Sequence, residues 1–316
     1  MDVVTIGETM VLFTPNSRGY MRHAHQFSMK FGGAETNVAV GLSRLGHQAG
    51  WISKVGNDEF GKAMVAFVKG ENVDVSQVKV DQKHPTGVYF KELRRAGDVR
   101  VYYYRKDSAA SRLTPEDLNE EYIAQAKFFH ITGITPALSD SCANTILAAI
   151  KIAKKHGVRV VFDPNLRRKL WSEEKARSVL LHLASLADIV LPGIEEGKFM
   201  FDETDPKKIA DCFLKNGSAN VVVKLGADGA AYFTKDTAGV ISGYPVEQVV
   251  DPVGAGDGFA AGLLSGLLNG LSFPEAVKRG NAVGALVTMV DGDVEGLPEE
   301  DEIEALMNSK NEDVQR

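Results

Sequence analysis

The chain has 316 residues, of which 44% are hydrophobic and 25% charged, the make-up of a folded globular protein and not of a disordered or low-complexity one. Its 36 Lys and Arg stand against 42 Asp and Glu, a formal charge of −6, which excludes a broad basic face for nucleic acid but leaves local anion pockets open. Two cysteines, Cys142 and Cys212, are too few for a disulfide framework, no apolar run approaches the ~20 residues of a membrane helix, and no signal-peptide pattern precedes the first strand, so a reducing, cytoplasmic setting is expected.

Residues 3–6 read as a buried strand that ends at Gly7-Glu8. Residues 12–31 read as irregular, with short extended pieces around Pro15, Asn16 and Gly19. The His23/His25 pair there has no third ligand nearby and reads as a loop or strand face. Gly32-Gly33 then opens a helix with apolar residues at Val38, Val40, Leu42 and Leu45, stopped by Gly46. Paired glycines before a helix let a ligand approach the backbone. Asn37, one turn in, either points its carboxamide at that ligand or lies on a polar face. A strand at 51–56 is followed by a helix from Asp58 to about residue 69.

Residues 86–93 and 99–104 read as the two arms of a hairpin, with Gly97 and Asp98 as turn formers. Alternation puts Tyr103 and Arg105 on one face and Tyr102 and Tyr104 on the other. Such a hairpin is either a half-buried strand pair with exposed tyrosines or a lid with one aromatic face over a ligand and the other at a subunit contact. From residue 128 strands and helices alternate: strands at 128–131, 158–162, 189–191 and 221–224, helices at 140–156, 173–186 and 205–216. This pattern predicts an α/β fold with a mainly parallel sheet covered by helices on both faces. Ligands then gather beyond the carboxyl ends of the strands. The polar stretch 308–316 is expected to fray.

Asp251-Pro252-Val253-Gly254-Ala255-Gly256-Asp257 carries the most chemistry. A β-favouring run at 244–250 leads in and an apolar helical run at 258–268 leads out. A small-residue turn at a helix start aims backbone N–H groups and the positive helix end at one point, a ready anion site. Asp257 within it suggests an acid that takes the proton of an oxygen attacking a phosphoryl group; the plain alternative is an Asp cap on a tight turn. The P-loop pattern, the third glycine of G-x-G-x-x-G and the Gly-x-Ser-x-Gly elbow are absent, which argues against those nucleotide-binding and hydrolase classes.

The Gly32-Gly33 segment with Asn37 and the Asp251-to-Asp257 segment, about 220 residues apart, resemble the two signatures of the ribokinase-like (PfkB) carbohydrate kinases, and Lys224 to Gly229 also matches. The resemblance covers essentially the whole chain. It implies one ribokinase-like domain over 1–316, with a small β lid formed by about 12–31 and 86–105. It further implies Asp257 as general base and the backbone of Gly254, Ala255 and Gly256 as anion hole, in keeping with phosphoryl transfer as positioning plus charge stabilisation. Asn165, Lys224, Gly226, Gly229 and Asn281 would lie along ATP. Glu196 matches the acid that positions Mg²⁺, partly through water, although Gly193 stands where the family carries Asn. Asp251 matches a position that often helps bind a monovalent cation such as K⁺. Within the family, Gly-Glu-Thr-Met at 7–10, Thr86 to Tyr89, 101–105, 133–138 and 163–167 most resemble the 2-keto-3-deoxygluconate kinases. That implies a sugar-acid substrate touched by Gly33, Asn37, Tyr89, Tyr103, Tyr104, Arg105, Arg167 and Asp293, with arginine suited to pairing a carboxylate. Fructokinase and 5-keto-2-deoxygluconate kinase activity are the alternatives, and a sugar-binding regulator without turnover is the alternative of a different class. A homo-oligomer formed through the lid is expected.

Overall fold

The computed structural model describes residues 1–95 and 98–312. In chain order its strands are β1 (Val3–Ile6), β2 (Met10–Pro15), β3 (Phe27–Gly32), β4 (Ala49–Gly56), β5 (Val78–Asp81), β6 (Val88–Arg95), β7 (Asp98–Tyr104), β8 (Phe128–Thr132), β9 (Arg159–Asp163), β10 (Ile189–Val190), β11 (Asn220–Lys224), β12 (Gly229–Phe233) and β13 (Ala238–Ser242). Nine of them form one sheet in the order β13-β12-β11-β10-β9-β8-β1-β4-β5. Pairing is parallel from β5 through β11, and β12 and β13 close the far edge antiparallel.

Runs such as Val-Val-Thr-Ile and Phe-Phe-His-Ile-Thr are buried along their whole length, as a sheet covered on both faces demands. Successive side chains go to opposite layers. Val3, Phe128, Val161 and Val222 meet the helices Ala34–Arg44, Ala255–Leu268 and Phe273–Val287, whereas Val4, Phe129, Val160 and Val221 meet Asp140–Lys155, Glu173–Leu186 and Pro206–Lys215. The second sheet, β3-β2-β6-β7, is small and mixed, with β2 and β6 parallel at its centre.

Three expectations about the chain's course are corrected. Residues 244–250 form no strand: β13 ends at Ser242, and the following segment leaves the sheet edge through Pro245, with Val249 and Val250 exposed. Proline has no N–H for a ladder, and this run has no neighbouring strand to pair with. Residues 12–31 are more regular than expected, because β2 and β3 pair over six positions around a short turn at Met21–His23. The C-terminal stretch is helical, within Glu300–Glu312, as far as it is described; 313–316 lie outside the described residues, as does the expected hairpin former Gly97.

The helix Ala255–Leu268 is seated closely against Phe273–Val287. A Cβ added at Gly262 would stand 2.9 Å from the Arg279 carbonyl oxygen, and one at Gly266 would stand 2.8 Å from Ala276 Cα. Only glycine allows this approach, and it fixes where the helix start points.

Candidate active site

The helix start carries the anion turn. Gly254 is left-handed (φ 84°, ψ −13°) and Ala255 begins the helix, a conformation that any side chain would strain. In the opened first turn the Ala255 amide reaches the Pro252 carbonyl only at 3.4 Å and Gly258 is the first to bond back, to Gly254 at 2.8 Å. The amides between them are left for an outside acceptor, as at any helix N-terminus. A Cβ on Gly256 would meet nothing closer than the Lys224 Nζ at 3.6 Å, so this backbone faces an open space with a cation beside it.

Asp257 lies buried in the same turn. Its Oδ2 accepts a 2.8 Å hydrogen bond from the Asn37 carboxamide. Burial raises its pKa to about 7; the Asn37 bond opposes this, Asp163 and Asp293 add to it, and Arg167 opposes it. A carboxylate half-ionised near neutral pH is suited to taking up a proton. Asn37 therefore serves the acid directly, which refines the expectation that it would face a ligand.

Lys224 ends β11 and donates to Asp163, at the end of β9, at 2.5 Å. Burial works against its charge, but Asp163, Glu196 and Asp257 hold its pKa above the ordinary lysine value. A permanent cation thus stands at the mouth of the anion turn.

The small sheet roofs this space. The Tyr89 hydroxyl donates to Asp293 Oδ2 at 2.8 Å, and Tyr103 stacks on Tyr89 with centroids 5.8 Å apart. Arg105 lies 5.5 Å from the Tyr103 ring centre and donates from Nε to Glu8 Oε2 at 2.7 Å. Glu8, which the sequence reading did not single out, also accepts from Ser108.

A cavity of about 730 Å³ results, lined by Gly33, Asn37, Tyr89, Tyr103, Arg105, Asn165, Arg167, Glu196, Lys224, Gly254, Gly256, Asp257 and Asp293 among the expected residues. Glu8, Lys91, Asp163, Arg168 and Lys169 line it as well and were not foreseen. An adjoining cavity of about 780 Å³ is lined by Gly193, Leu225 and Gly226, and shares Leu166, Arg168, Glu196 and Lys224 with the first. The two make one trench past the carboxyl ends of β9 and β11.

Four expected residues are placed elsewhere. Tyr104 is 66% exposed and packs edge-on against Phe90, away from the cavity, because alternation turns it to the outer face. Asn281 is buried and donates to the Ile241 and Ser242 carbonyls, securing a helix to the sheet edge. Gly229 (φ 102°) lies against the Ile241 carbonyl and lines neither cavity. Asp251 is bonded to the Lys91 ammonium, so the expected monovalent-cation position at its carboxylate already holds a cation.

Glu196 stands where the cavities join. Its Oε2 accepts the Gly193 amide at 2.6 Å and its Oε1 the Leu166 amide at 3.2 Å. Each oxygen keeps a free lone pair, and Mg²⁺ in phosphate sites is commonly held by one or two carboxylates with the rest from phosphate and water. Glu196 fits that donor set. The glycine at 193 leaves the acid in place, since the contact comes from backbone.

An anion turn, a buried acid near neutral pKa, a fixed lysine and a carboxylate whose remaining lone pairs fit Mg²⁺, along one trench, suit a phosphoryl-transfer enzyme acting on small molecules. The comparisons agree. Residues 1–300 match the pfkB family carbohydrate kinase profile, and the chain belongs to that family. It is 43% identical to 2-dehydro-3-deoxygluconokinase of Bacillus subtilis (strain 168), over 98% of this chain and 96% of that one. It is 35% identical to fructokinase-1 of Oryza sativa subsp. japonica, over 97% and 98%. A ribokinase-II-type protein of E. coli in complex with ATP and Mg²⁺ superposes with a TM-score of 0.90 at 29% identity, covering 98% of this chain and 99% of that one. The fold is ribokinase-like, as expected.

Proposed function

We propose that this protein transfers the γ-phosphoryl group of ATP to the 6-hydroxyl of 2-dehydro-3-deoxygluconate (2-keto-3-deoxygluconate). The placement of Asp257 carries the reading: a buried carboxylate, oriented by Asn37, at the open first turn of an anion-binding helix. Asp257 takes the hydroxyl proton as the oxygen attacks. The amides of the Gly254-to-Gly256 turn and the Lys224 ammonium hold the charge that grows on the transferred group. Glu196 would hold Mg²⁺, which would supply charge neutralisation to the phosphates. The nucleotide takes the side of the trench lined by Leu225 and Gly226, and the sugar acid the side roofed by Tyr89 and Tyr103.

The 43% identity to a 2-dehydro-3-deoxygluconokinase against 35% for a fructokinase favours the acid. Arg105 and Arg167, both at the cavity, give a carboxylate something to pair with. We further propose that the small sheet acts as a lid on a single domain, and that two chains pair through its outer face, where Tyr20, Met29 and Tyr104 are exposed.

A panel of sugars and sugar acids with ATP and Mg²⁺ tests the substrate. The acid is expected to give the highest kcat/KM; a higher value for fructose would overturn the choice. Asp257→Asn is expected to lower turnover at least about 100-fold, and near-wild-type turnover would reject the base.

A further inference from the structure

On β6, Tyr89 and Lys91 share a face, two residues apart, and both end on acids of the distant C-terminal segment. Lys91 is 1% exposed, its ammonium bonded to Asp251 Oδ2 and 3.7 Å from Asp293 Oδ1. Asp251 is itself buried, and its other oxygen accepts the Val253 amide at 3.1 Å. Each oxygen of Asp251 thus accepts one bond, and the cation in contact with it is the Lys91 ammonium. A metal cation at this carboxylate would either stand against a buried ammonium, like charge to like charge, or push it back on its longer 3.7 Å contact with Asp293, and both are costly in a poorly screened interior. The residues present do not fit a monovalent cation.

We infer that Lys91 is the resident cation of the anion turn, a covalently tethered positive charge that replaces a monovalent metal ion and makes the reaction independent of K⁺. The electrostatics explain the need. Asp251, Asp257 and Asp293 all stand around a turn that has to receive a multiply charged phosphate, and each repels it through a poorly screened interior. An ammonium between Asp251 and Asp293 offsets that repulsion without borrowing an ion from the medium. Because Lys91 belongs to the small sheet, the same bond also fastens the roof of the cavity to the turn beneath it. The inference rests on the kinase reading of the site, but one arm of its test does not.

The wild-type chain, Lys91→Ala and Lys91→Arg are compared in KCl and in tetramethylammonium chloride at equal ionic strength, reading both melting temperature and ATP-dependent turnover of 2-dehydro-3-deoxygluconate. The wild type is expected to differ by less than about twofold in rate between the salts and to melt at the same temperature in both. Lys91→Ala is expected to lose at least about tenfold in rate in tetramethylammonium, with K⁺ restoring part of the rate and raising the melting temperature. Lys91→Arg is expected to remain indifferent to the salt. A wild type that requires K⁺, or that K⁺ stabilises over tetramethylammonium, overturns the inference. So does a Lys91→Ala that ignores K⁺ in both readouts. Were Lys91→Ala to fold in neither salt, the wild-type comparison decides alone. Were no sugar turned over, the kinase reading would fall while the melting comparison still distinguished a lysine from an ion at Asp251.

Discussion

Asp257 is pulled in opposite directions by its neighbours. Burial, Asp163 and Asp293 disfavour its charge, Asn37 and Arg167 favour it, and the balance lifts its pKa from 3.8 to about 7. The rate kcat/KM is expected to climb as pH rises through about 7 and then level, since only the ionised acid accepts a proton. Asn37→Ala removes a donor that favours the charged form, so the climb moves to higher pH; a pH–rate profile that stays put in this variant rejects the coupling. Stability has the opposite sign. An unfolded Asp257 ionises near 3.8 and the folded one near 7, so between those values the folded chain binds more protons and its stability falls as pH rises, by on the order of a few kcal/mol. Asp257→Asn has no charge to bury and is expected to melt above the wild type at pH 8 while losing turnover. A lower melting temperature there would contradict the account.

At the scale of elements, the turn and the helix after it were readable because their signals are local: small residues, one acid and an apolar run within a few positions. The edge strands and the strand-free 244–250 segment were not, because pairing partners decide them. The same holds for Glu8, Lys91 and Asp163, whose meaning lies in contacts 97, 160 and 61 residues away. Tyr104 could have been set aside from alternation alone. Glu8 changes how Arg105 has to be tested. Arg105→Ala alone strands a buried carboxylate and is expected to cost about 3 kcal/mol, which would blur any effect on substrate. Removing both charges, Glu8→Gln with Arg105→Ala, restores the balance. The double variant is expected to melt closer to wild type than either single one, and to lose about tenfold in kcat/KM on the sugar acid with little change on a neutral sugar. Equal losses on both substrates would remove Arg105 from carboxylate recognition.

For the whole molecule, strand–helix alternation foretold the parallel sheet, but not how far the small sheet's outer face is left bare. Tyr104 at 66% exposure, with Tyr20 and Met29, is the surface we assign to pairing between chains. Light scattering after size exclusion is expected to give a dimer for the wild type and a monomer for Tyr104→Glu; a wild-type monomer removes the proposal. Among the described residues, no helix is long and apolar enough to cross a membrane. The contacts that assemble the site span very long stretches of chain: Lys91 to Asp251, Tyr89 to Asp293 and Asn37 to Asp257, separated by 160, 204 and 220 positions. During synthesis the amino-terminal half is therefore made with a buried lysine and a carboxamide whose partners do not yet exist. It can lay down β1, β4 and β8, but the roof has nothing to fasten to until the last fifth of the chain arrives. The site therefore cannot close before residues 251–293 have been made, however early the strands around it pair.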